Sequence, residues 1–282
     1  MPTVMLMDRA LIAVDGEDAE HFLQNLITTD LDALAEGESL PGALLTPQGK
    51  ILFDFLISRE GSGFILECRK DIAADFIKRL MIYRLRAKVG ISESDQAVVS
   101  VSWGDDSGTS SGIRDKRFFD ETVLRHYGSE TSGSADAEDY HSFRIASGVG
   151  ESGDDFELGD AFPHDVLFDQ NSGVSFKKGC FVGQEVVSRM QHRGTARKRL
   201  LLVRGKQNLP APGSEITAGE RAIGTLGSVA ASEGLALVRI DRAAKAMSEG
   251  IPVLAGDAVI ELAIPTWAGF SFPDAAAEAD QT

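Results

Sequence analysis

The chain has 282 residues, 43% of them hydrophobic and 25% charged, the proportions of a packed globular protein rather than a disordered one, and its length predicts about two domains. With 28 basic against 43 acidic residues the formal charge is −15, which argues against non-specific binding to nucleic acid or an anionic membrane. No run of about 18 apolar residues occurs, so a membrane-spanning helix is not expected.

From Gly16, Ala19, Phe22, Leu23, Leu26 and Ile27 recur at the spacing of one helical face, with Asp15 and Asp18 supplying a cap and N-terminal charge. The turn signal Pro47-Gln48-Gly49-Lys50 leads into Ile51 to Ile57, apolar enough for a buried strand, and Gly61-Ser62-Gly63 turns the chain into Phe64 to Cys68, completing a hairpin. Asp71 is expected to cap a helix that buries Ile72, Phe76, Ile77 and Leu80, followed by strands around Lys88 to Ser92 and Ala97 to Trp103. The Gly, Ser, Thr and Asp-rich stretches 104–112 and 128–139 read as exposed loops, with Arg117 to His126 as one strand between them. A helix through Tyr140 to Ser147 ends at Gly148. After Arg199, short β-rich segments at Leu200 to Val203, Gly224 to Val229, Leu235 to Ile240 and Ala258 to Leu262 alternate with Gly/Pro turns, the spacing of a small all-β barrel or sandwich. The boundary is therefore drawn at 198/199, with the barrel over 199–271 and an acidic, Ala-rich disordered tail over 272–282.

Met1 to Asp18 shows neither a secretory nor an Arg/Ser-rich presequence pattern. Cys68 and Cys180, far apart, fit neither a disulfide framework nor a CxxC site. A reducing compartment, the cytoplasm, is the expectation, and no resident metal is expected. Cys68 alternates with Phe64 and Leu66 in a strand and reads as structural. Two basic islands interrupt the acidic chain, seven Lys/Arg from Arg69 to Lys88 and seven from Lys177 to Arg199. Each reads either as a solvated helix face or as part of a site for an anionic ligand.

The segment with the most chemistry is Lys178-Gly179-Cys180-Phe181-Val182-Gly183-Gln184-Glu185. Gly173 to Phe176 reads as a short strand feeding it, and a helix can start at Gly183. A cysteine in a Gly-flanked turn before a helix N-terminus, beside Lys177 and Lys178, sits where thiolate is favoured over thiol. Gly179 and Gly183 permit a positive φ or close approach of a ligand to the backbone, and Gln184 and Glu185 offer an amide and a carboxylate to a heterocycle. The residues alone leave a second reading open, in which Cys180 is a small buried residue and the glycines punctuate a turn.

This octapeptide, continued by Arg189 and Arg193-Gly194, resembles the K-G-C-[FY]-x-G-Q-E signature of the YgfZ family. Supporting matches are Phe22-Leu23-Gln24 with Thr28 to Asp30, Pro47 to Lys50, Tyr83-Arg84-Leu85-Arg86 with Lys88-Val89, and Arg144-Ile145, so that the likeness runs from about Leu11 to Ile264. The resemblance implies an α+β, GcvT-like folate-binding body over 1–198, with antiparallel sheets and packed helices, followed by a small C-terminal β-barrel. It implies tetrahydrofolate binding and support of iron-sulfur cluster assembly or repair in client enzymes, radical-SAM tRNA-modifying enzymes among them, with iron-sulfur enzymes or assembly proteins as partners. On this reading Cys180, Lys178 and Asp54 carry the chemistry, and Gly179, Gly183, Gln184, Glu185, Arg189, Arg84 and Arg86 hold the folate.

The alternative is a tetrahydrofolate-dependent aminomethyltransferase or one-carbon transferase with Asp54 as acid/base. Aminomethyltransferases of the related T-protein branch carry an acidic pair in the strand after the Gly-rich turn and an Asp where Cys180 stands. Phe53-Asp54 and a cysteine argue against ordinary aminomethyl transfer. One unpaired thiol cannot hold a cluster that takes about four ligands, so any cluster contact is shared with a partner. Direct RNA binding is not expected, because the charge is −15 and no RNP-like or Lys/Arg-aromatic motif is present.

Overall fold

A computed structural model of the chain describes residues 1–96, 98–104, 111–128 and 133–273. Parts of the two expected exposed loops, 105–110 and 129–132, and most of the expected acidic tail, 274–282, lie outside the described residues. The elements in order are β1 (Thr3–Met5), β2 (Arg9–Asp15), α1 (Ala19–Gln24), β3 (Glu38–Leu45), β4 (Ile51–Glu60), β5 (Gly63–Arg69), α2 (Lys70–Arg84), β6 (Gly90–Glu93), β7 (Val99–Trp103), β8 (Ile113–Asp115), β9 (Val123–Tyr127), α3 (Ala137–Ala146) and α4 (Gln184–Arg193). They continue with β10 (Lys198–Gly205), β11 (Glu215–Ala218), β12 (Arg221–Ala230), β13 (Glu233–Arg239), α5 (Ile240–Ser248), β14 (Val253–Ala255) and β15 (Ala258–Ala263). The fold is α+β. The chain forms two compact units, Met1–Tyr140 with Asn171–Ser188, and His141–Gln170 with Arg189–Thr282.

The first unit is built on a sheet whose strand order among the described residues is β1-β7-β9-β8-β3-β4-β5-β2-β6. Its pairs are antiparallel apart from β3 with β8. On β4 and β5 the side chains of Phe53, Phe55, Ile57, Phe64, Leu66 and Cys68 turn to one face, where they pack with α1 and with Phe76 and Leu80 of α2. Phe53 and Phe55 both stack on Phe76, at 4.7 and 5.4 Å between ring centroids, an arrangement that adds to area burial. The hairpin of β4 and β5 thus forms as its alternation dictates, and Cys68 is fully buried in it.

The opposite face carries charge. Glu67, with no exposed side chain, accepts from Arg9 Nε at 2.9 Å, Arg125 Nη1 at 3.1 Å and the Tyr127 hydroxyl at 3.1 Å. Asp115 accepts from Arg117 and Arg125, and Arg125 Nη2 donates to the Tyr140 hydroxyl at 2.6 Å. Buried ions survive only when paired and hydrogen-bonded, and this network meets that condition across β2, β5, β8 and β9.

Several local expectations are corrected. Arg117 to His126 is not one strand: β8 ends at Asp115, and Lys116 to Thr122 form the turn into β9, because Arg117 folds back on Asp115. Gly173 to Phe176 is not a strand, since the Ser175 N–H donates to Thr28 O and its hydroxyl oxygen accepts the Lys177 and Lys178 N–H groups of the turn that follows. Asp18 stands at the N-cap of α1 but its carboxylate takes the Lys88 N–H rather than a helix amide, and Leu26 and Ile27 are buried beyond the helix end. The α2 N-cap is Arg69, with Asp71 in the first turn paired to it.

In the second unit β10-β13-β12-β11-β14-β15 close into a barrel, β15 returning to pair with β10. Alternate residues Leu201, Val203, Leu226, Ala236, Val238 and Ile260 fill its interior with Ala243 and Ala246 of α5. The strands β11 and β14 and the helix α5 had no counterpart in the sequence reading. β11 and β14 are only four and three residues long. A second anchor of this unit is Arg144, fully buried, whose guanidinium meets Asp155, Val149 O and Ser228 Oγ.

Candidate functional site

The motif loop is held by residues far away in sequence. Thr28 is fully buried: its hydroxyl donates to Gly173 O at 2.6 Å, 145 positions on, and accepts from the Ala43 N–H at 2.9 Å, while its carbonyl accepts from the Ser175 N–H at 2.9 Å. Asp30 receives Gln24 Nε2 at 2.8 Å on one oxygen and the Ser175 hydroxyl on the other. Thr29 bonds Pro41 O at 2.8 Å, and a Cβ on Gly42 would collide with its hydroxyl at 2.0 Å. The early matches of the resemblance, Phe22 to Gln24 and Thr28 to Asp30, thus form a platform on β3 beneath the loop.

Lys178 reaches into that platform. Its ammonium donates to Ile27 O at 2.9 Å and Thr29 O at 2.6 Å and lies 5.8 Å from the centre of the Phe181 ring. Burial lowers its pKa from 10.5 to about 8, with the charges of Asp30 and Asp32 opposing the shift. Expected to act chemically, Lys178 is here a clamp with its nitrogen turned inward. Two residues on, Cys180 is exposed and free, whereas Cys68 is buried. The pKa of Cys68 is pushed up to about 12, chiefly by burial.

The two glycines of the motif differ. Gly183 has φ +79°, and a Cβ there would lie 2.6 Å from Thr46 O and 3.1 Å from Gly49 Cα. Gly49, φ +80°, faces the side chains of Val186 and Val187 of α4, which a Cβ would meet at 3.1 to 3.3 Å. The Pro47 to Lys50 turn is therefore seated on the start of α4; the Gly183 backbone has no room for a side chain, and Gly49 has room only if the Val186 and Val187 side chains give way. Gly179 has no positive φ, and a Cβ there would meet nothing within 4 Å, so no conformational need for glycine exists at that position.

Gln184 and Glu185 open α4, half-buried and exposed respectively, and Arg189 is an exposed residue further along the same helix. Arg84 and Arg86 line a cleft of about 550 Å³ in the first unit, with Asp18, Asn25, Phe22 and Tyr83. The motif contributes Val182 to it; Gly179, Cys180, Gln184 and Glu185 are not among its lining residues. Arg84 Nη1 also donates to Val89 O at 3.3 Å. Asp54 lies half-buried on β4, between the core-facing Phe53 and Phe55, and its charge adds to the upward shift of Cys68. Thr28 and Ser175, which fix the loop, were missed as anchors in the sequence reading. No local pattern marks them, because their partners lie at the other end of the first unit's sequence.

Among the described residues no group of three or more His, Cys, Asp or Glu is arranged to hold a metal ion, and no helix is long and apolar enough to cross a membrane.

Residues 197–270 match the family model of the CAF17 C-terminal beta-barrel domain. The chain is similar to the mitochondrial iron-sulfur cluster assembly factor IBA57 of Homo sapiens, 32% identical over 270 residues, covering 82% of this chain and 75% of that protein. It is similar also to the mitochondrial IBA57 homolog of Neurospora crassa, 30% identical over 227 residues and 70% of this chain. The chain spans about half, 52%, of that longer relative. Among solved structures, the glycine cleavage system aminomethyltransferase T from Bartonella henselae aligns over 96% of this chain and 87% of that one, with a TM-score of 0.72 and 17% identity, a likeness of fold.

Proposed function

Because the chain belongs to the family of the iron-sulfur cluster assembly factor IBA57, we propose that it supports assembly or repair of iron-sulfur clusters in client enzymes, with the Cys180 thiol as its working group. The observation that carries this reading is an exposed cysteine on a loop whose flanks, Lys178 and Ser175, are bonded to the platform of residues 27–30. A thiol so presented can meet iron on another protein while its own backbone stays ordered. Cys180 contributes one soft thiolate, and its proton passes to solvent; the remaining ligands, about three of a usual four, come from the partner. The YgfZ branch, with radical-SAM tRNA-modifying enzymes as clients, extends the same reading through the Lys178 to Glu185 motif. Its cytoplasmic placement rests on two unpaired cysteines, while the relatives named above are mitochondrial proteins.

Tetrahydrofolate is the proposed ligand of the first unit. The cleft lined by Arg84 and Arg86 fits it: Phe22, Leu26, Tyr83 and Val182 offer an aromatic and aliphatic wall to a fused ring, and two guanidinium groups suit a glutamate carboxylate. When bound, a reduced folate supplies ring nitrogens that carry one-carbon units. In this reading Arg84 and Arg86 orient the ligand by its carboxylate, and Asn25 and Asp18 offer polar contacts to the ring edge.

The test is complementation of a deletion strain by Cys180→Ser, with melting temperature and folate affinity measured on the purified protein. Loss of cluster-dependent enzyme activity with fold and folate binding intact is expected, because a serine hydroxyl is neither ionised nor a soft iron ligand near neutral pH. Full complementation removes thiolate chemistry from the proposal. Turnover of tetrahydrofolate with an aminomethyl donor, abolished by Asp54→Asn, would favour the one-carbon transferase instead.

A further inference from the structure

The end of α2 carries an apolar patch that the reading above does not use. Met81 is 40% exposed, Ile82 63% and Leu85 86%. Spacings of three and four residues along α2 put these side chains beside one another. Apolar side chains scattered singly over a surface need no explanation, but a contiguous set marks an interaction site. Leu85 stands at the C-cap of α2 with φ +47° and ψ −106°, a conformation that leucine rarely adopts. The fold fastens it there. The Ala87 N–H donates to Arg84 O at 2.8 Å, Arg84 Nη1 to Val89 O at 3.3 Å and the Lys88 N–H to Asp18 Oδ2 at 2.8 Å. Gly16 lacks the Cβ that would lie 2.2 Å from Lys88 O. Strain of this kind persists only where the surroundings over-determine it, and here it holds an apolar knob out in water.

The charges around the knob say what chemistry covers it. Lys78 pairs with Asp75, Lys88 with Glu17 and Arg69 with Asp71. Arg79, Arg84 and Arg86 pair with no carboxylate among the described residues. In a chain of formal charge −15, three unneutralised guanidinium groups beside Met81, Ile82 and Leu85 complement an apolar pocket ringed by carboxylates. An anionic bilayer fits worse. It has no pocket for a rigidly presented side chain, it repels the rest of the molecule, and these three side chains offer fewer carbons than the single acyl chain that itself anchors only marginally. A second copy of the patch would set like charge against like.

The patch also adjoins the thiol. Leu85 and Val182 line the same cleft, and Cys180 is two residues from Val182, within about 7 Å along the chain. A partner face of ordinary size, about 800 Å², has the breadth to rest on Leu85 and reach across the cleft mouth to Cys180. We infer that the α2 patch is the docking surface for the iron-sulfur partner that completes the ligands of Cys180, and that it meets an apolar pocket rimmed by Asp and Glu on that partner. The inference rests on the reading of Cys180 as the working thiol.

The experiment is complementation of a deletion strain, read by the activity of a cluster-dependent enzyme, with melting temperature and folate affinity measured on the purified full chain. Arg84 and Arg86 line the folate cleft, so the variants are taken elsewhere in the patch. Ile82→Glu is expected to lower the enzyme activity at least about tenfold and Ile82→Lys less, because only the first sets a carboxylate against the partner's own. Arg79→Glu is expected to fail likewise, and Arg79→Lys to keep the larger part of the activity. Met7→Glu, at a methionine 72% exposed in the turn between β1 and β2, is expected to stay within about twofold of the native chain. Melting temperature and folate affinity should be unchanged throughout. Full complementation by Ile82→Glu overturns the docking surface, whatever Cys180→Ser does. Equal loss in Ile82→Glu and Ile82→Lys overturns the acidic rim. Co-sedimentation of the native chain with vesicles of equal parts phosphatidylcholine and phosphatidylserine, lost in Ile82→Glu, assigns the patch to a membrane and overturns the proposal. A native dimer that Ile82→Glu dissociates assigns it to a second copy, with the same result. Full complementation by Cys180→Ser beside loss in Ile82→Glu strikes the thiol reading instead, and with it the identity of the partner.

Discussion

Gly49 and Gly183 meet backbone to backbone: a Cβ on Gly183 would stand 3.1 Å from Gly49 Cα and 2.6 Å from Thr46 O, and both residues adopt a left-handed φ. Gly183→Ala therefore combines a backbone cost of about 1–2 kcal/mol with a clash against a carbonyl that cannot rotate away. Gly49→Ala meets the side chain of Val186 at 3.1 Å, which can yield. Gly179→Ala, with open space and no left-handed φ, is expected to stay within about 0.5 kcal/mol of the native chain. Urea unfolding of the three variants should rank them Gly183, Gly49, Gly179 in order of loss; a Gly179 variant as unstable as the Gly183 one would overturn this account of the motif.

The two cysteines should separate cleanly in their reactivity. Cys180 is exposed, whereas Cys68 is buried and its thiol is pushed up to about 12. Limited alkylation near neutral pH, read by mass spectrometry on tryptic peptides, is expected to label Cys180 first and Cys68 only after unfolding. Labelling of Cys68 in the folded chain would contradict the packing of β5.

Lys178 makes stability depend on alkaline pH in a definite direction. Its folded pKa, about 8, lies below the ordinary 10.5, so between these values the unfolded chain binds the extra proton. Stability therefore rises with pH through that window, and the cost of burying the ammonium is fully present below about 8. Lys178→Met removes this slope while leaving Ile27 O and Thr29 O without their donor, which costs about 1–3 kcal/mol near neutral pH. The difference in unfolding free energy between native chain and variant, measured from pH 7 to 10, should widen in favour of the native chain; a flat difference rejects the assignment.

Glu67 is the keystone of the buried charges. Glu67→Leu leaves Arg9 and Arg125 without their shared carboxylate, and breaking one side of a buried pair costs about 3–5 kcal/mol. Acid acts on the same network through Asp115. Burial alone would raise its pKa, but Arg117 and Arg125 outweigh burial and hold it below the usual 3.8. Its contribution is thus complete above that value and lost as pH falls further. Acid titration followed by circular dichroism should find Asp115→Asn less sensitive to acid over this range than the native chain, from a lower starting stability.

The hairpin of β4 and β5, the helix α2 and the strands at Leu200 and Leu235 were legible because their signals are local: alternation over a few residues, a helical period, and Gly/Pro punctuation between them. The barrel's short strands β11 and β14 were not, since three or four residues carry no period. The Lys178 to Glu185 motif stood out by composition, and with it the possibility of a reactive thiol. Whether Cys180 faced solvent or the core was left open by composition and spacing.

Tertiary structure decided that question. Lys178 looks like a surface cation in sequence and becomes a buried clamp because two carbonyls, of Ile27 and Thr29, wait some 150 positions away. The segment at Gly173 to Phe176 has strand composition, yet its amide and carbonyl are spent on Thr28 instead of a ladder. Arg199 reads as one more charge in a basic island and turns out to be a buried guanidinium with an unmet donor. In each case the deciding partner is distant along the chain, and only the folded backbone brings the unpaired donor or acceptor within hydrogen-bonding reach. Sequence alone determined which segments could be strands and helices; which polar groups found partners, and which were left to face solvent or a ligand, was settled by where the fold delivered their neighbours.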